Sequence, residues 1–181
     1  MATTEFTSLN CSLADTLQLV GDRWAMLIIR EAFFGTHRFE IFQKNLGIAR
    51  NILTTRLHTL CDNDILLRVP VKTGARRHGY KLSDRGYDLL PAIIALNQWG
   101  DRWLHERTGP PIRYLERRSD EEIDDIVILS SSGCQLSAWD LKLVPGPGAT
   151  EQTIKRLQQL ELDWKKQRED KRKKISLKKR L

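Results

Sequence analysis

Apolar residues recur at helical spacing along the first hundred positions, and interruptions of that spacing divide the chain into elements. Leu13, Leu17 and Val20 follow Ser12, a helix-capping residue type, and Gly21 ends the run. Asp22 can cap a second helix, whose face is Trp24, Leu27, Ile28 and Ala32 and which stops at Gly35. Phe39, Phe42 and Leu46 mark a short third helix closed by Gly47. A fourth runs through "RNILTTRLHTLC", where Leu53, Leu57, Leu60 and Cys61 form one apolar stripe. Only "GIA" joins the third helix to the fourth, and helices joined that tightly cross steeply, as in a helix-turn-helix.

After Cys61 the period changes. "ILLRVPV" predicts a strand stopped by Pro70, "KTGARRHG" a basic loop, and "YKL" a short return strand. "SDRGYDLLPAIIALNQWGDRWLHER" then predicts one long helix, capped by Ser83 and bent at Pro91. Its apolar residues cover most of the circumference, so it must be buried on more than one side. One side can pack on its own domain. The other needs a second chain or the C-terminal extension, and homodimerisation is the favoured reading. The predicted interface is Leu13, Leu17, Leu89, Ile93, Leu96, Trp99 and Trp103.

Beyond the linker "TGPPI", an acidic segment leads to "IVILSSSGCQLSAWDLKLV", read as a hairpin turning at Ser131–Gly133. "PGPGA" breaks the chain again. Residues 151–174 have helical composition, with a weak stripe of Ile154, Leu157, Leu160 and Trp164, and the charged end reads as frayed. The expected fold is mainly α with a small β wing, a winged helix-turn-helix over residues 1–107. A linker and acidic segment (108–125) and an extension of hairpin, helix and basic tail (126–181) follow.

Charge sharpens this picture. The 181 residues carry a formal net charge of +7, unevenly placed. Residues 36–81 contribute +6, residues 108–125 contribute −3, and residues 126–181 contribute +7. Basic density around the fourth helix suits a polyanionic partner. With the apolar stripe facing inward, Asn51, Thr55 and His58 point outward, Thr54 and Arg56 flank them, and Arg50 projects from the first turn. Asn can bind adenine bidentately and Arg can bind guanine likewise, while Thr can meet a phosphate or a thymine methyl. Lys72, Arg76 and Arg77 on the hairpin loop suit phosphate or minor-groove contacts that position more than they read. Arg38, ahead of the third helix, is counted with them. A solvated helix beside a basic loop would look alike if either feature stood alone. Their order, and the tight turn between the helices, favour double-stranded DNA.

Between Cys11 and Trp103 the chain resembles the HxlR family of winged-helix transcriptional regulators. The landmarks are "CSLA" (11–14), "GDRW" (21–24), "RF" (38–39), "GIARNILTTRL" (47–57), "RHGYKLSDRG" (77–86), "LLP" (89–91) and "WGDRW" (99–103). The resemblance implies a homodimer acting on promoter operators, pairing through its N-terminal and long C-terminal helices. Repression is the favoured expectation, though the sequence does not decide between repressor and activator. It implies Arg50, Asn51 and Arg56 as recognition-helix positions and Arg77 as the wing arginine. Ala49 departs from the family, which usually has Ser or Thr there. The extension beyond about residue 110 is also outside the family pattern.

The resemblance further brings Cys11 forward, because an N-terminal cysteine senses oxidants or electrophiles in some members. Two readings stand for it, a redox sensor or a small interface residue. Cys61 lies on the apolar stripe and reads as core. Three cysteines without CxxC spacing argue against a disulfide framework or zinc site. The four histidines, His37, His58, His78 and His105, are scattered, and no Gly-rich phosphate loop occurs. We therefore expect no enzyme activity, no cofactor and no metal. The expected partners are DNA, a second copy, and a small-molecule or oxidant effector. No secretory signal or apolar run of spanning length is visible, so a cytoplasmic setting without membrane contact is expected. The competing class is a winged helix serving as a protein-interaction module without operator specificity.

Overall fold

A computed structural model describes residues 9–70 and 78–178, with side chains through residue 166. Two compact units are present, one over Ser12–Ile128 and one combining the segment that ends at Cys11 with the chain from Leu129 onward.

The first unit is a winged helix-turn-helix built around α2 (Arg23–Phe33), which touches α1 (Ser12–Val20), α3 (Phe39–Leu46) and α4 (Arg50–Asp62). As expected, Asp22 caps α2, accepting from Trp24 N and Ala25 N at 3.0 and 3.3 Å. Gly47 closes α3 with φ of 61°, a left-handed conformation that glycine adopts without steric penalty. Strands β1 (Leu66–Pro70) and β2 (His78–Leu82) pair antiparallel from Leu66 with Leu82 to Pro70 with His78. The core consists of Ile28 and Ile29 of α2, Phe42 of α3, Leu53, Leu57 and Leu60 of α4, and Leu66 of β1, all fully buried. Burying each such side chain stabilises by about 1.5–3 kcal/mol.

The predicted single helix after Ser83 is two helices, α5 (Asp84–Tyr87) and α6 (Leu90–Leu104). Ser83 does cap, but it caps α5, accepting from Gly86 N at 3.0 Å. Pro91 lies in the first turn of α6. Its missing N–H has no helical partner there, and its ring would clash with the carbonyl of any continuous preceding turn. The break replaces the expected bend.

The acidic segment packs within the first unit. It folds back on itself, with Ile123 N donating to Tyr114 O at 3.0 Å, and docks on α6. Asn97 donates to the Tyr114 hydroxyl, and Gln98 donates to Asp124 O at 3.2 Å while accepting from Ile126 N at 2.8 Å. Arg102 pairs with Asp125 at 2.6 Å.

Where the first unit ends, the expected hairpin is present but short. It pairs β3 (Ile128–Leu129) with β4 (Gln135–Leu136) around a turn with Gly133 at φ 81°. A single 3-10 turn, Ala138–Asp140, carries Trp139, whose ring lies 6.2 Å from that of Trp164 on α7 (Glu151–Lys178). The helix continues to Lys178, through the charged stretch expected to fray. Asn10 closes the second unit: its Nδ2 donates to Gly148 O at 3.1 Å, and its Oδ1 accepts from Thr150 N and Thr153 Oγ1 at 3.0 and 2.9 Å.

Candidate nucleic-acid interface

The tight turn sets the geometry of α4. Gly47 reverses the chain, Ile48 is buried, and Ala49 occupies the N-cap position with no side-chain hydrogen bond. Burial of Leu53, Leu57 and Leu60 turns the opposite face outward. Arg50, Asn51, Thr54, Thr55 and His58 are exposed, and so is Ile52.

These side chains are not equally free. The Arg50 guanidinium stacks over the Phe39 ring of α3 at 4.9 Å, which limits where it can swing. Thr54 and Thr55 donate their hydroxyls to Arg50 O and Asn51 O at 2.9 and 3.0 Å. Their protons are therefore engaged, leaving an accepting oxygen and a methyl group for any ligand. Among the described residues, no hydrogen bond or ion pair engages the Asn51 or His58 side chain. Arg56 differs most from its expected role. It is half-buried, its Nη2 donates to Asp22 Oδ2 at 3.1 Å, and its Nε lies 3.0 Å from Oδ1 without hydrogen-bond alignment. Arg56 thus ties α4 to the residue that caps α2.

Arg38 is exposed at the N-cap position of α3, one residue after His37. His37 joins the base of the wing, since Tyr80 N donates to His37 O at 2.8 Å and His37 Nδ1 lies 3.2 Å from Tyr80 O. Lys72, Arg76 and Arg77 of the wing lie outside the described residues. Arg68 and Lys81 are exposed on the two wing strands.

Sequence reasoning missed a buried polar hub behind this surface. Glu31, on α2, is buried and receives Arg30 Nη2 at 2.9 Å, Thr36 Oγ1 at 3.2 Å and Asn45 Nδ2 at 2.9 Å. Burial alone raises its carboxyl pKa, but the hydrogen bonds from Asn45, Arg30 and Thr36 outweigh it and hold the group below its ordinary value. Through Asn45 the hub grips the end of α3 just before the turn into α4. The available signal was an acid interrupting the apolar run "WAMLIIREAF".

Cys61 is half-buried, and burial together with the Asp62 charge pushes its thiol pKa up despite Arg68, as a packed residue would show. Cys11 and Cys134 are exposed. Of the expected interface residues, Leu13, Leu17, Leu96, Trp99 and Trp103 are exposed, with Trp103 at 66%. Ile93 instead belongs to the core of its own unit, and Leu89 packs partly against that core. No group of metal-ligating side chains occurs among the described residues, and no described helix is long and apolar enough to cross a membrane.

Comparison with known proteins agrees with this arrangement. The HxlR-like helix-turn-helix family model matches residues 19–108. An uncharacterised HTH-type transcriptional regulator of Mycobacterium tuberculosis, Rv3095, is 42% identical over 137 residues, covering 76% of this chain and 87% of its own. The crystal structure of PA1607, a proposed transcription factor, superposes with a TM-score of 0.73 at 34% identity, covering 79% of this chain and 100% of that one. PA1374 of Pseudomonas aeruginosa, also a proposed transcription factor, gives 0.56 at 30% identity, covering 81% and 99%.

Proposed function

With the chain a member of the HxlR-like helix-turn-helix family, and so a DNA-binding transcriptional regulator and not an enzyme, we propose that it acts as a homodimer that represses promoters by inserting α4 into the major groove. The observation that carries this reading is the outward line of Asn51, Thr55 and His58, with Arg50 held over Phe39 at the leading end of the helix. Asn51 and Arg50 read base edges, Thr54 and Thr55 offer methyl groups and accepting oxygens, and Arg38 with Lys72, Arg76 and Arg77 grips phosphates. The exposed Leu13, Leu17, Leu96, Trp99 and Trp103 support pairing with a second copy. Exposure of Cys11 supports an oxidant-sensing role for its thiol. Identical DNA affinity before and after peroxide in wild type and Cys11→Ser refutes that role.

Selection of bound sequences from random DNA by the purified protein tests the main reading. One operator motif with two half-sites should emerge. Log affinity should fall with log salt by about 0.9 per phosphate contacted. Arg50→Ala should relax preference at one base pair, while Arg77→Ala should weaken binding evenly. Absence of any motif together with a flat salt dependence would favour a protein-interaction module instead.

A further inference from the structure

The first unit contains a cavity of about 350 Å³, open to solvent, between the end of α2, the start of α6 and the returning segment 112–115. Phe33, Phe34, Leu90, Ile112 and Leu115 give it aromatic and aliphatic walls. Arg30 and Arg113 are its charged lining residues. Such a volume is at the small end of the roughly 300–1,000 Å³ that small-molecule sites occupy, and apolar walls with a few convergent polar groups are their usual composition.

Neither arginine is fully committed. Arg30 Nη2 holds Glu31 and its guanidinium lies 5.5 Å from the Phe34 ring, yet the side chain stays 32% exposed. Arg113 is 63% exposed and reaches Glu122 only at 3.7 Å. We propose that this cavity binds a small apolar carboxylate, its body against Phe33, Phe34 and Leu115 and its carboxylate between Arg30 and Arg113, and that occupancy alters DNA affinity. A carboxylate fits better than a phosphate ester. The walls offer a more highly charged group few donors, and Glu31 stands beside Arg30 to repel it. The third wall, residues 112–115, lies beyond the span 19–108 that the family model matches, so the site is a property of the extended chain.

The route to DNA runs through Arg30. Its partner Glu31 also holds Thr36 and Asn45, and Asn45 sits two residues before Gly47 at the turn into α4. A carboxylate competing for Arg30 changes the load on Glu31, and with it the seating of α3 against α4. Binding free energies are reciprocal, so DNA must change the affinity for the acid by the same factor. This coupling rests on the regulator reading above, whereas the binding site itself does not.

Calorimetric titration of the full chain with benzoate, 3-phenylpropionate and hexanoate tests the site, with the corresponding neutral amides as controls. At least one acid should bind saturably, one per chain, and its amide at least tenfold more weakly. Arg113→Gln, on an exposed side chain, should weaken the acid at least tenfold, and Leu115→Trp, which fills the cavity, should abolish binding with unchanged circular dichroism. No binding by any of the three acids, equal binding by the amides, or indifference to both variants overturns the proposal. With acid at saturation, operator affinity should shift at least threefold in wild type and stay unchanged in Arg113→Gln. Binding without that shift refutes the coupling. Failure to bind DNA with or without acid refutes the regulator reading instead.

Discussion

Replacing Asp22 removes two supports from the helix-turn-helix at once. Its carboxylate caps α2 through the Trp24 and Ala25 amides, and it pairs with Arg56 of α4. Loss of a capping side chain costs about 0.5–2 kcal/mol. The ion pair is worth less, because both side chains are 35% exposed, and pairs in such solvent contribute about 0.2–1 kcal/mol. Asp22→Ala should therefore destabilise by about 1–3 kcal/mol, lowering the melting midpoint by roughly 2–12 °C for a chain of this size. Asp22→Ser keeps a capping oxygen and loses the pair alone, so it should give back most of that loss. Urea unfolding of wild type, Asp22→Ser, Arg56→Ala and the double variant isolates the pair, with an expected coupling of about 0.2–1 kcal/mol. DNA affinity measured on the same four proteins separates bracing from reading. Zero coupling, with Arg56→Ala abolishing DNA binding at unchanged stability, would refute the brace and return Arg56 to the reading face.

Three further outcomes are expected. Glu31 has a folded pKa below its ordinary value of 4.5, so its stabilisation is present above that pH and is lost as pH falls through the lower folded value. Glu31→Gln should flatten that acid limb and cost roughly 1.5–3 kcal/mol near neutrality, checked by unfolding as a function of pH. At Gly86 a Cβ would sit 2.3 Å from Ile65 O and 2.8 Å from Leu82 Cδ2, so Gly86→Ala should overpack the base of the wing and cost about 1–3 kcal/mol. Asn10→Ala should increase hydrogen exchange at Thr150 and Thr153, whose N-terminal turn it helps hold, with an unchanged exchange pattern at Leu53 and Leu57.

The helical stripes were legible because their burial requires a period that a reader can count. Leu53, Leu57 and Leu60 declare the inner face of α4, and the left-handed residue Gly47 declares the end of α3. What was not legible depended on contacts between distant positions. Arg56 reads as an exposed base until the fold brings Asp22 to it, 34 residues away in sequence. Asn97, Gln98 and Arg102 find their partners only in the acidic segment that returns across them, 17 to 28 positions away. Pro91 was ambiguous for a local reason, since a proline marks either a bend within one helix or the first turn of the next. The family resemblance implied which positions would face DNA but carried no information on residues 112–128, which wall the cavity and cover part of α6.

The three hydrogen bonds of Asn10 also impose an order of events on biosynthesis. Asn10 and Thr153 are 143 positions apart, so at about 5–20 residues per second Thr153 is made roughly 7–30 s after its partner. The whole of Ser12–Ile128 is polymerised in that interval. The helix-turn-helix unit can thus reach its native packing while the Asn10 segment still waits, and the second unit closes only after Thr153 has emerged. Its long-range closure makes it the slow partner of the two.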